Sequence, residues 1–196
     1  LTAVLRGGAA LAVSMALAAF LVGFCFAARA EGDDAESRAD NIRAAFIYKF
    51  TAYITWPETD AENFTIALLG KTNLLRPLRE IARDRKVGEK PLVIKECATL
   101  EETTGAKILL VSAAPGCPLE SILKKADSEK ILTVGSTPGF AEKGVAINFC
   151  VIENRVGFEM NLGALKRAGL PVSSQLVSLA KLVEDTVQTE NKGQPE

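Results

Sequence analysis

The sequence predicts an α/β fold, a mostly parallel sheet flanked by helices on both faces, with a C-terminal β-hairpin and closing helices. Three observations carry this. Short apolar runs alternate with helix-period segments from Phe64 to Val134, the pattern of strands joined by crossover helices. Two period-2 runs, Val145 to Val151 and Val156 to Met160, flank Glu153-Asn154, and Asn accepts the positive φ that a two-residue hairpin loop demands. Ahead of these, Ile42, Ala45, Phe46, Phe50 and Tyr53 recur at helical spacing up to Trp56-Pro57, so residues 41–53 form an amphipathic helix whose stripe faces the sheet.

In chain order, residues 1–30 begin with Leu, carry a positive charge at Arg6 and an uncharged apolar run from Ala9 to Ala28, and end in Ala28-Arg29-Ala30 before an acidic stretch. This is the order of a cleavable secretory signal peptide with the cut after Ala30. An uncleaved membrane anchor is the alternative, because about 20 apolar residues span a bilayer. Phe24, before Cys25, stands where a lipid-attachment signal wants a small residue. Residues 31–40 are acidic and polar and read as a flexible leader, the domain occupies 41–185, and 186–196 form a frayed tail. Strands are expected at Phe64 to Leu69, Leu92 to Lys95, Ile108 to Val111 and Ile131 to Val134, with helices near Leu74 to Asp84, near Leu100 and from Pro118 to Ala126.

If Glu153 and Asn154 are the hairpin loop, Ile152 faces Arg155, Cys150 faces Gly157, Phe149 faces Phe158, and Asn148 faces Glu159. Val145, Ile147, Phe149, Val151, Val156, Phe158 and Met160 then share an apolar face, opposite Asn148, Cys150, Glu159 and Asn161. A helix from Leu162 to Ala168 stops at Gly169, and Ser173 or Ser174 caps a last helix bearing Leu176, Leu179, Ala180 and Val183.

The composition excludes several chemistries. The chain has no histidine, which removes imidazole bases and imidazole metal ligands. Cleavage after Ala30 leaves 21 basic against 24 acidic side chains, so no overall basic field recruits nucleic acid. Cys97, Cys117 and Cys150 remain, with no close cysteine pair to start a zinc site, so no metal is expected. Gly70-Lys71-Thr72 follows a strand, but a phosphate-binding loop needs a glycine where Thr65 stands. Ser112, Ser173 and Ser174 have no base, and Glu101-Glu102 are solvated neighbours, so neither an enzyme nor a bound cofactor is expected.

Three sets of residues remain as candidates. The loop Gly135, Ser136, Thr137, Pro138, Gly139 and Phe140 follows a strand and offers hydroxyls and close backbone to a small ligand; the alternative is a tight connection into the hairpin. Cys97 and Cys117 both fall at the carboxyl edge of the sheet and are the expected disulfide pair, closing a loop of about 20 residues, against three free or otherwise paired thiols. Glu159 and Asn161 project from the polar side of the hairpin and are candidates for partner contact, the alternatives being an ordinary solvent face or a carboxylate that satisfies nearby backbone groups.

Ala44-Ala45-Phe46-Ile47-Tyr48-Lys49-Phe50, Trp56-Pro57, Leu132-Thr133-Val134-Gly135, Gly139-Phe140-Ala141 and Val156-Gly157-Phe158-Glu159-Met160-Asn161-Leu162 together resemble the YfiR-like proteins. The likeness continues through Arg167-Ala168-Gly169-Leu170 and Ser173-Ser174. It implies a compact, often dimeric periplasmic α/β domain that binds the periplasmic sensing part of an inner-membrane diguanylate cyclase. Such binding restrains cyclic-di-GMP synthesis and biofilm formation. It also implies partner contact at the hairpin and following helix, with Glu159 and Asn161 on the matching motif. The cysteines depart from the family pattern. A hairpin-clipping bridge cannot form where Cys150 faces Gly157, and Cys117 lacks its family partner near Lys71, leaving Cys97 as a substitute. The competing function is a periplasmic small-molecule sensor acting on a membrane kinase or transporter.

Overall fold

Parallel strands feeding short helices build the centre of this domain. The computed structural model describes residues 34–112 and 117–184. The expected secretory signal and the 186–196 tail lie outside the described residues. Helix α1 spans residues 34–53, followed by β1 (Phe64–Leu69), α2 (Leu75–Ala82), β2 (Lys86–Val87), β3 (Lys90–Cys97), β4 (Ile108–Val111), α3 (Leu119–Glu129) and β5 (Leu132–Gly135). The hairpin strands β6 (Ile147–Ile152) and β7 (Arg155–Asn161) come next, then α4 (Leu162–Arg167), α5 (Ser174–Val177) and β8 (Lys181–Val183). One eight-stranded sheet runs in the order β2-β3-β1-β4-β5-β6-β7-β8. Among the strands of the described residues, only β2–β3 and β6–β7 pair antiparallel.

The central strands are apolar on both sides because both sides are covered. Ile66, Leu68, Ile108, Leu110, Leu132 and Val134 face a core shared with α1, α2 and α4. Ala67, Leu69, Leu109 and Val111 alternate onto the other face, against Ile122 and Ala126 of α3. α3 ends at Lys130 in the left-handed conformation, a C-terminal cap that turns the chain directly into β5. α1 stops where the Trp56 indole donates to the Thr51 carbonyl at 2.9 Å, and Thr55 and Ser173 tie its end to the segment before α5.

Two expectations need correction. Residues 34–40, read as a flexible leader, are helical. Ala35, Glu36, Arg38 and Ala39 are good helix formers, so a polar stretch without an apolar stripe can still be helix. The expected last helix is instead one short helix, capped by the Ser173 hydroxyl on the Leu176 N–H, followed by strand β8. Leu176, Leu179, Ala180 and Val183 fit a helical period, but β8 gains a ladder with Glu159, Met160 and Asn161 of β7. The segment near Leu100 is a single 3₁₀ turn, Glu101–Thr103.

Phe46 and Phe50 of α1 meet Phe149 and Phe158 of the hairpin, with Phe158 in edge-to-face contact with Phe50 at 5.3 Å and with Phe46 at 5.6 Å. These contacts fix the first helix on the last antiparallel strands. Phe158→Ala is expected to cost about 3–5 kcal/mol of unfolding free energy in a denaturant titration; a loss near zero would mean that this cluster does not hold the helix.

Candidate functional site

The candidate residues gather around the hairpin because its turn fixes their register. Glu153 and Asn154 both have positive φ, 49° and 60°, as a type I′ loop requires. The ladder is the one read from the sequence: Ile152 opposite Arg155, Cys150 opposite Gly157, Phe149 opposite Phe158, and Asn148 opposite Glu159. Gly157 is needed here, since a Cβ would sit 2.7 Å from the Ile152 side chain folded over it.

The polar side of the hairpin is enclosed, so Glu159 and Asn161 are buried and not on the open surface expected for them. Asn161 is 0% exposed and uses both ends of its amide. Its Oδ1 accepts from the Ala164 N–H at 2.8 Å, capping α4, and its Nδ2 donates to the Ala141 carbonyl at 2.8 Å. Glu159 is 9% exposed. It accepts from Lys181 Nζ at 3.0 Å and more weakly from Asn148 Nδ2 at 3.4 Å. The strand β8 and the loop after β5 supply what covers them. Asn161 stands directly before a helical run, and that N-cap pattern was the available signal for a structural role.

The Glu159 hydrogen bond, and then its charge, raise the Lys181 ammonium above the ordinary lysine range. Cys150, on the same side of the ladder, is pushed up by burial first and by the Glu159 carboxylate second. Asn148 Oδ1 is buried without a donor among the described residues and lies against Gly135, where an added Cβ would meet it at 2.9 Å. Gly135 is therefore fixed as glycine by close approach. Of the expected ligand loop, Gly135 is buried, Ser136 is exposed, and Thr137, Gly139 and Phe140 are half-buried. The turn is closed by Phe140 N–H to the Thr137 carbonyl and Val145 N–H to the Phe140 carbonyl. Phe140 packs into the core on the α3 side.

Cys97, Cys117 and Cys150 are free thiols, so the expected Cys97–Cys117 bridge is not formed. Both do join the same apolar cluster, Cys97 buried and Cys117 packed against it. Burial pushes the Cys97 thiol up, away from the reactive thiolate. Lys107 is a buried cation the sequence reading passed over. Burial, and then the nearby Lys90 charge, lower it, and its Nζ reaches only the Pro57 carbonyl at 3.4 Å. With Lys90, which donates to the Thr59 carbonyl, it pins the loop after α1. Among the described residues no group of three or more His, Cys, Asp or Glu is placed to hold a metal ion, and no helix is long and apolar enough to cross a membrane.

A family profile described as YfiR/HmsC-like matches residues 40–181. No curated protein matches. Among solved structures, a conserved domain protein from Vibrio cholerae O1 biovar El Tor str. N16961 superposes with a TM-score of 0.51 at 10% identity. The match covers 73% of this chain and 59% of that one, and at this identity it speaks for the fold alone.

Two outcomes are expected. Asn161→Ala removes a helix cap and leaves the Ala141 carbonyl unpaired, and should cost about 2–4 kcal/mol in denaturant unfolding; a residue serving only as a surface contact would leave stability unchanged. Lys181 has a raised folded-state pKa, so its contribution is complete below the ordinary lysine value of about 10.4 and is lost as pH rises through the raised value. Thermal unfolding of the native protein should therefore fall more steeply at alkaline pH than that of Lys181→Met, and parallel curves would rule the pairing out.

Proposed function

The chain belongs to the YfiR/HmsC-like family, and from that premise we propose that it is a periplasmic regulatory protein that binds the periplasmic domain of an inner-membrane diguanylate cyclase and represses it. The family is one of periplasmic regulators of diguanylate cyclase systems. Repression lowers cyclic-di-GMP signalling and, through it, biofilm formation. A protein outside the membrane cannot reach a cytoplasmic nucleotide, so its partner must span the bilayer. The signal-like residues 1–30 support export, and the absence of histidine agrees with action by contact rather than by catalysis.

One observation carries the choice of contact surface. Of the eight large apolar side chains left exposed among the described residues, five come from the C-terminal end of the sheet: Val151, Ile152, Leu162, Leu179 and Leu182. Leu179 is 66% and Leu182 is 52% exposed, flanking and within the edge strand β8. β8 covers only Glu159 to Asn161 of β7, so Arg155 to Phe158 have no strand partner on their outer side among the described residues. Open backbone groups beside exposed apolar side chains are the features that accept an added strand. Glu159 and Asn161 then shape this edge from beneath rather than touching the partner.

Pull-down from membranes tests this. Leu179→Lys with Leu182→Lys should retain the fold by circular dichroism and reduce cyclase recovery roughly tenfold or more, the scale of losing one interface anchor. Undiminished recovery would remove the edge from the contact.

A further inference from the structure

Charge is distributed unevenly in this chain. Residues 71–95 hold eight of its 23 Lys and Arg but only three of its 24 Asp and Glu, in a protein whose net charge is −1. The helix α2 turns Leu78 inward with Pro77, and presents Arg76, Arg79 and Arg83 at spacings of three and four, so the three guanidinium groups line one exposed face. Arg85 and Lys86 extend it toward β2 and are also exposed. Arg76, Arg83 and Lys86 make no ion pair among the described residues, and the single pair on this face, Arg79 with Glu96 at 3.0 Å, is more than half exposed on both sides. Arg85 is held over the Tyr48 ring at 5.7 Å, which anchors the end of the patch to α1.

We infer that this basic face of α2 docks on an anionic phospholipid surface. Charge complementarity selects that occupant: arginines spread along one face, which they share with the single carboxylate Glu80 and on which only Arg79 is ion-paired, suit many phosphate groups in a plane better than one small ligand in a pocket. The position in the fold agrees. α2 packs on β3 near the β2 edge, and β2 and β8 are the two ends of the eight-stranded sheet. Seven strand spacings separate these ends by about 30 Å. Lipid docking through α2 thus leaves the β7–β8 edge free, and it does not depend on the identity of any protein partner.

Co-sedimentation of the full chain with vesicles tests the inference. Vesicles containing phosphatidylglycerol should bind it, and more weakly as salt rises, while pure phosphatidylcholine vesicles should not show this salt-sensitive component. Replacing Arg76, Arg79 and Arg83 by Gln should lower partitioning on the order of 100-fold. Replacing Lys124, Lys130 and Lys143 by Gln changes the net charge equally and should have little effect. Any contribution of the apolar residues 9–28 is common to every variant. Equal losses in the two triple variants, or no preference for phosphatidylglycerol, would overturn the proposal. So would a salt-sensitive association with the extracytoplasmic domain of a membrane protein that is lost in the arginine variant while lipid binding is absent.

Discussion

The register of the β6–β7 hairpin is the constraint on which the rest of the C-terminal half depends. Glu153 and Asn154 both adopt positive φ, and this two-residue turn leaves only one way for the strands to pair. A slip of one residue would carry Phe158 and Met160 to the polar side and Glu159 and Asn161 into the aromatic cluster under α1. In the register that forms, Ile147, Phe149, Phe158 and Met160 complete the core. On the reverse side Asn161 caps α4, and Glu159 meets the lysine that arrives on β8. Helix α1, helix α4 and the edge strand are therefore all positioned from one ladder.

This ladder was legible in the sequence because two alternating runs meet at an Asn, and both signals are local. The same holds for the apolar stripe of α1 and for the alternation of strands and helices that marks a parallel sheet. What lies across a face is not local. Period-2 alternation assigns Glu159 and Asn161 to the side opposite the core, but the segment around Ala141 and the strand β8 that cover that side come from elsewhere in the chain. Likewise, four residues of helical spacing after Ser174 cannot reveal that β7 has an open edge for Lys181 to Val183 to join. The cysteines were placed correctly at one sheet edge, yet Cys97 is buried with its neighbours from β1 and remains a free thiol.

Enclosure of the polar residues changes how regulation by this domain is understood. Glu159 and Asn161 are held by internal bonds, so on the proposed reading their substitution would weaken a partner contact by loosening the edge they support. The surface proposed for the partner is apolar and open-edged, at one end of the sheet, while the cationic face of α2 lies toward the other. The two contacts proposed for these ends would be separable, one driven by burial of Leu179 and Leu182 and insensitive to salt, the other electrostatic and screened.

Hydrogen exchange of the protein, alone and with the membrane cyclase proposed as its partner, tests the central claim most directly. The account predicts added protection confined to residues 151–158 and 179–183, with Asn161 and the α4 cap protected to the same degree in both states. Protection elsewhere, with the β7–β8 edge exchanging as fast in the complex as in the free protein, would contradict it.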